Sequence, residues 1–362
     1  MRTLFLIALL GLINIQVAAI ENGQYFRINQ VLAKKHILPR YDIFSQKTSE
    51  LDRSARKFCT APSKLGLQEI QKAFHSVADA WARVQHIQFG PIEEKRRLER
   101  IYFWPDKHNT GSRHFLRLIK SEDESIFIEE KFPLISVALQ GLPALERLLF
   151  SQSEKLFISG KISRFHCRFI QAISLNLKTI GTSILSEWID EKNNYLNIYT
   201  SSTVPVYAGE DEIFEDHLSN LYSSLRTIYE LKLNRALGDT AENSRPRMTE
   251  AWRSERSMRN IILNLESAEK LFSGEGEFGI DDIIEILKPG NSTAKDFKIY
   301  MDYTLQTAKS IDIPLHKAVL DKSQHEKVDR LKAQILALMW LVRTRLLTAL
   351  DMRTGFNAFD GD

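Results

Sequence analysis

The stretch GLPALERLLF, residues 141–150, contains a carboxylate in a setting that resembles part of a metal site. Glu146 follows position 143 by three residues, so the two side chains would share one face of a helix. A histidine at position 143 would form a metal-ligand pair with Glu146, but Pro143 has no side chain that binds a metal. Proline is favoured where a helix begins, and Gly141 is typical of the turn before it. The stretch therefore fits either a helix start or a metal site without one ligand.

A second candidate segment is FWPD, residues 103–106, which lies in a loop-like part of the sequence. It places Phe103, Trp104 and Asp106 close together. Exposed aromatic side chains on a loop can line a ligand site. The alternative is a loop that simply packs against a bundle of helices.

A third candidate is WRSERS, residues 252–257. Within a helix capped by Thr249, Trp252 and Arg256 would share one face, and Arg253 would lie beside them. Guanidinium groups of this kind can hold a carboxylate or phosphate through paired hydrogen bonds. A solvated helix face with Glu255 as a local partner is the alternative.

The C-terminal segment GFNAFDGD, residues 355–362, offers oxygen ligands for a hard cation. These would come from Asn357, Asp360 and Asp362 if Phe356 and Phe359 dock the tail against the protein. Chain ends of this composition more often fray.

The histidines and cysteines point to structure rather than catalysis. His75, His86, His166 and His217 are each isolated on a helical segment, which predicts positions at the surface or the edge of the core. No HExxH, GxSxG, P-loop or GxGxxG motif occurs in the sequence. Cys59 and Cys167 form an even pair, which favours a disulfide in an oxidising compartment, with two buried thiols as the alternative.

Charge and hydropathy limit the classes of partner. The formal net charge of +3 does not indicate a nucleic-acid-binding protein. Arg2, an apolar run over residues 4–15 and small residues up to Ala19 predict a signal peptide over residues 1–19, with a retained N-terminal anchor as the alternative. No later segment is apolar enough to predict a membrane span. We therefore expect an exported, periplasmic protein.

Apolar spacing near three and four residues predicts an all-α fold in which long helices position these segments. The predicted helices cover residues 65–89, 162–189, 212–238, 246–272 and 327–352. The polar stretch over residues 193–211 predicts a boundary between an N-terminal helical bundle, 20–195, and a C-terminal one, 196–362. AWAR at 80–83 and AWRS at 251–254 hint that the bundles arose by duplication.

Together these segments resemble the imelysin-like family, also called the M75 peptidase family, and specifically its exported, predicted-lipoprotein branch. The resemblance extends over nearly the whole mature chain, and it rests on the following segments: FCTAPS (58–63), AWARVQHIQFGPI (80–92), FWPD, GLPALERLLF, AWRSERSMRNIILNL (251–265) and GFNAFDGD. It implies two bundles related by duplication, a link to iron uptake and a pocket where the two halves meet. It also places Gly141, Pro143 and Glu146 on a Gly-x-His-x-x-Glu motif, with proline in place of the histidine.

Three functions remain open from the sequence. The first is non-enzymatic binding of a metal, such as iron or another divalent cation, of a metal complex or of a small ligand. The second is a scaffold that binds envelope protein partners. The third is a metallopeptidase, which Pro143 disfavours because a catalytic zinc usually needs three protein ligands.

Overall fold

The computed structural model describes residues 23–151, 162–190, 194–200, 209–350 and 352. The predicted signal peptide, and the C-terminal ligands Asn357 and Asp360, lie outside the described residues. Within them the regular structure is helical and contains no strand, which confirms the all-α prediction. No helix in this part of the chain is both long and apolar enough to cross a membrane.

Residues 23–31 are helical and lead through a π-helical segment, Leu32–Ile37, into the first long α-helix. The α-helices are α1 (Leu38–Thr60), α2 (Lys64–Val84), α3 (Arg97–Ile101), α4 (Thr110–Ser121), α5 (Leu142–Phe150), α6 (Arg164–Ile189), α7 (Tyr195–Thr200), α8 (Glu210–Arg226), α9 (Arg235–Leu237), α10 (Ser257–Phe272), α11 (Ile280–Leu287), α12 (Thr293–Lys309), α13 (Leu315–Ala318), α14 (Lys322–Leu341) and α15 (Leu347–Ala349). Two π-helical segments, Thr227–Asn234 and Val342–Leu346, continue α8 and α14.

The described residues form two hydrophobic cores. One core lies within residues 33–188 together with Ile213, and α1 packs there along α2 and α6. The other lies within residues 214–350 together with Ile28 and Leu32, where α12 packs against both α10 and α14. The N-terminal helical stretch thus contributes to both cores. The boundary at 195/196 and the duplication remain predictions.

The main contact between the two halves is made by α2 and α10. Ser63 caps α2 by accepting a hydrogen bond from the backbone N–H of Gly66 at 3.0 Å. Leu67, Ile70 and Phe74, whose helical spacing predicted a buried face, are buried. The helix ends at Val84 rather than at residue 89, and the buried Ile87 and Phe89 follow in non-helical chain.

The predicted helix over residues 246–272 is wrong at its N-terminal end. The α-helix begins at Ser257, and residues 250–255 form turns. Ala251 and Glu255 adopt positive φ angles of 44° and 58°, in the left-handed region that a right-handed helix does not use. Thr249 is therefore not the cap, and Trp252 and Arg256 do not share a helix face.

The disulfide prediction is confirmed. Cys59, in the last turn of α1, is bonded to Cys167, in the first turn of α6, with the two Cα atoms 5.4 Å apart. The bond therefore ties together two long helices that pack against each other in the first core.

Candidate functional site

A cavity of about 380 Å³, called the main cavity below, is lined by residues of both halves. Seven of the residues singled out from the sequence line it: Phe103, Trp104, Asp106, Pro143, Glu146, Trp252 and Arg253. The other lining residues are Tyr102, Pro105, Asn109, Gly111, Ser112, Ala138, Arg147, Arg235, Arg247, Met248, Thr249 and Ala251. Segments far apart in sequence therefore meet in one place, and their role in ligand binding remains a prediction.

The start of α5 brings Pro143 and Glu146 to the cavity. Gly141 is the N-cap, and Pro143 lies in the first turn, where its missing N–H costs no helical hydrogen bond. A Cβ atom on Gly141 would come within 2.2 Å of the carbonyl oxygen of Ile101. Gly141 is thus required by the close approach of α3, and it does not itself line the cavity.

Glu146 joins the two halves beside the cavity. Its Oε1 accepts a hydrogen bond from the backbone N–H of Ser254 at 2.9 Å and another from the Ser254 hydroxyl at 2.7 Å. Burial raises the pKa of Glu146, and the two hydrogen bonds from Ser254 oppose this shift. Oε1 is therefore used in a contact between the halves, and metal binding by Glu146 remains a prediction.

We expect Glu146→Leu to lower the free energy of unfolding by about 3 kcal/mol, because two buried donors of Ser254 lose their acceptor. Glu146→Gln is the matched control, since its amide oxygen can still accept from Ser254, and it should cost about 1 kcal/mol. Urea unfolding of the two variants measures the difference. Equal losses would contradict a structural role for the Ser254 hydrogen bonds.

The FWPD segment follows the C-terminus of α3 and contains a cis peptide bond between Trp104 and Pro105. Asp106 Oδ2 accepts a hydrogen bond from the backbone N–H of Ser112 at 3.3 Å. Its Oδ1 is buried, and no described residue forms a hydrogen bond with it. The contact with Ser112 therefore holds the Asp106 side chain against the start of α4, beside the cavity.

Three arginines that were not predicted from the sequence also line the main cavity. Besides Arg253, the cavity is lined by Arg147, Arg235 and Arg247, which come from α5, α9 and a 3₁₀ turn at Pro246–Met248. Arg147 donates a hydrogen bond to the Ser112 hydroxyl at 2.9 Å. No local motif marks these three residues, because only the packing of separate segments places them together.

Arg256 is not among the residues that line the cavity. It is buried against α2, where its guanidinium pairs with Asp79 and lies 3.0 Å from Nδ1 of His75. Arg259 pairs with the same carboxylate, with 2.8 Å between Nε and Oδ1. The prediction that Arg256 contributes to the ligand site is thus not supported by its position, and its visible role is to join α10 to α2.

A buried polar network holds the halves together next to the cavity. Lys232 Nζ lies 2.8 Å from a carboxylate oxygen of Glu250 and donates to Asn264 Oδ1 at 2.7 Å. Asn264 in turn donates to the carbonyl oxygen of Ala82 in α2 at 2.6 Å. Burial, together with the carboxylates of Glu250 and Glu146, raises the pKa of Tyr102 in the cavity wall. The wall is therefore fixed by contacts that cross between the halves.

The histidine prediction is wrong for two of the four helical residues, because His86 and His217 are buried. With His36 they form a cluster: His36 Nε2 lies 2.8 Å from His86 Nε2, and His36 Nδ1 lies 2.7 Å from Glu275. His86 also lines a second cavity of about 220 Å³, which shares Tyr102 and Trp104 with the main cavity. This histidine cluster could not be predicted from the sequence, because its members lie far apart along the chain and meet only in the fold.

Within the described residues, no group of three or more His, Cys, Asp or Glu side chains could hold a metal ion. The described lining of the main cavity includes two carboxylates and no histidine or cysteine. Its donors therefore suit a ligand that brings its own polar groups better than a bare cation that needs several protein ligands.

These features define an all-helical protein with a ligand-sized cavity at the contact between two helical cores. The chain belongs to the imelysin (Peptidase_M75) family, whose model matches residues 37–341. No curated protein matches the sequence.

Two solved structures share the fold. An imelysin-like protein from Psychrobacter arcticum 273-4 superposes with a TM-score of 0.73 at 19% identity, covering 92% of this chain and 98% of that chain. A putative iron-regulated protein A precursor from Parabacteroides distasonis ATCC 8503 gives 0.71 at 15% identity, covering 89% and 94%. At these identities the likeness concerns the fold alone.

Proposed function

We propose that this protein is an exported, non-enzymatic envelope protein that binds a metal complex or another small ligand in the main cavity, as part of iron uptake. The observation that carries the proposal is the convergence of aromatic, acidic and arginine side chains from both halves on one cavity. Its volume of about 380 Å³ falls in the range of small-molecule sites.

The link to iron has one support and the link to the periplasm has two. One structure with the same fold bears the name of a putative iron-regulated protein A precursor. The residues before position 20 have the pattern of a signal peptide. The Cys59–Cys167 disulfide fits an oxidising compartment.

A non-enzymatic role is favoured by the start of α5. We infer that Pro143 takes the place of the histidine in the Gly-x-His-x-x-Glu motif, because Gly141 and Glu146 keep the motif's spacing. The proline side chain cannot coordinate a metal, and Oε1 of Glu146 accepts hydrogen bonds from Ser254. A catalytic zinc needs about three protein ligands and an open position, which these residues do not offer.

Isothermal titration calorimetry of the mature protein at micromolar concentration tests the proposal. The titrants are Fe(II), Zn(II), ferric citrate and haem, and we expect one of them to bind with 1:1 stoichiometry. Trp104→Ala should weaken binding at least tenfold, because Trp104 lines the cavity. Trp340→Ala is the matched control: Trp340 is 61% exposed on α14 and does not line the cavity.

The absence of binding by all four titrants would overturn the proposed function. So would chelator-sensitive cleavage of a protein substrate that Glu146→Gln abolishes, because that result would establish the peptidase alternative.

A further inference from the structure

The wall of the main cavity carries more positive than negative charge. Four arginines line it, namely Arg147, Arg235, Arg247 and Arg253, against two carboxylates, Asp106 and Glu146. The arginines come from four separate segments and surround one space. Such a wall attracts negatively charged ligands and repels bare cations.

Both carboxylates are already engaged by the protein. Glu146 accepts two hydrogen bonds from Ser254, and Asp106 accepts one from the backbone of Ser112. Their charge also acts on Arg147, whose pKa is lowered by burial and raised by Asp106 and Glu146. The four guanidinium groups therefore outnumber the two carboxylates around the main cavity.

Three of the four arginines have no carboxylate partner in the part of the chain that the structure describes. Among the described residues, Arg235, Arg247 and Arg253 form no ion pair with an acidic side chain. Arg253 instead stacks on Trp252, with its guanidinium carbon 4.3 Å from the ring centroid. Burial lowers the pKa of Arg253, the positive charges of Arg147 and Arg247 lower it further, and the carboxylate of Glu146 opposes the shift. Guanidinium groups held near one another in this way are stabilised when an anion binds between them.

We propose that the ligand of the main cavity is a small organic anion rich in carboxylate-like oxygens, bound either alone or as a negatively charged ferric chelate, rather than a bare metal ion. The arginines bind its oxygens, and Trp104 and Trp252 cover its apolar parts. This inference rests on the proposed function and names the chemical class of its ligand.

Calorimetric titration of the mature protein with citrate, ferric citrate, Fe(II) chloride and Zn(II) chloride tests the inference. We expect binding of ferric citrate or citrate that weakens at least tenfold between 50 and 500 mM NaCl, as screening of opposite charges requires. Comparable heats for citrate and ferric citrate identify the anion itself as the ligand. Binding of ferric citrate alone identifies the chelate.

The variant Arg247→Met/Arg253→Met should reduce the affinity for the anion at least tenfold. Arg245→Met is the matched control, because Arg245 is exposed in the same stretch and does not line the cavity. Thermal melting establishes that each variant is folded. Arg247→Glu provides a second measurement at an exposed position, and it should weaken anion binding at least as strongly as Arg247→Met.

Binding of Fe(II) or Zn(II) without either anion would overturn this inference and leave the proposed function intact. An affinity for the anion that Arg247→Met/Arg253→Met and Arg245→Met leave equal would also overturn it. The absence of binding by all the titrants would overturn both the inference and the proposed function.

Discussion

Replacing Cys59 and Cys167 by serine is expected to lower the free energy of unfolding by about 4–5 kcal/mol in the chain-entropy model. The bond joins residues 108 positions apart, so its loss increases the conformational entropy of the unfolded chain. Urea unfolding of the oxidised wild type and of the Cys59→Ser/Cys167→Ser variant measures the difference. The bond ties the end of α1 to the start of α6 within the first core. We therefore expect its loss to lower the stability of the fold without changing the main cavity.

A reducing agent provides the control for this expectation. It should destabilise the wild type by a similar amount and leave the double variant unchanged. Ligand affinity of the folded variant should also stay unchanged, because neither cysteine lines the main cavity. Equal unfolding midpoints for the wild type and the variant would contradict a stabilising role for the disulfide.

The all-α class could be predicted from the sequence, because helical periodicity depends only on the local spacing of apolar residues. The buried face of α2 follows directly from the positions of Leu67, Ile70 and Phe74. The start of α10 could not be found in this way. Residues 250–255 contain good helix formers, yet Ala251 and Glu255 adopt left-handed conformations that bring Ser254 to Glu146. A tertiary contact overrides local preference there.

The candidate site was predicted where its residues form short, unusual motifs. FWPD and the start of α5 were identified because aromatic residues, proline and a carboxylate stand close together in sequence. Arg147, Arg235 and Arg247 were missed because each is an ordinary arginine until the fold brings it to the cavity. The contact between His36 and His86 was missed for the same reason, since 50 residues separate the two rings in sequence. Such long-range groupings are properties of the packing of helices.

Lowering the pH from 7.5 to 5.5 is expected to cost about 4 kcal/mol of stability through three buried histidines, about 1.4 kcal/mol for each. Burial lowers the pKa of His36 and His86 well below the usual value, and it lowers that of His217 to about 3. The positive charge of Arg40 also disfavours protonation of His36 and His86, and the carboxylate of Glu275, which lies 2.7 Å from Arg40, opposes the shift at His86.

The direction in which stability changes with pH follows from the number of protons bound in the folded and unfolded states. Below a pH of about 6.5 the unfolded chain protonates these histidines while the folded protein keeps them neutral, so acid favours unfolding. The stability they contribute is complete above that pH and falls as the pH decreases towards the folded pKa values. Thermal or urea unfolding measured at several pH values between 7.5 and 5.5 gives the slope.

Comparison of variants separates the histidines from the carboxylates, which titrate in every variant alike. His217→Gln should reduce the slope of stability against pH by about 1.4 kcal/mol per pH unit near pH 5.5, because one buried imidazole no longer titrates. His108→Gln is the matched control, since His108 is exposed and its replacement should leave the slope unchanged. An equal slope for His217→Gln and the wild type would show that His217 accepts its proton equally well in the folded and unfolded states. His217 precedes Leu218 of one core, and its ring centroid lies 5.7 Å from that of Phe89 in the other core. A slope that follows the prediction would therefore tie part of the acid sensitivity to the contact between the two halves.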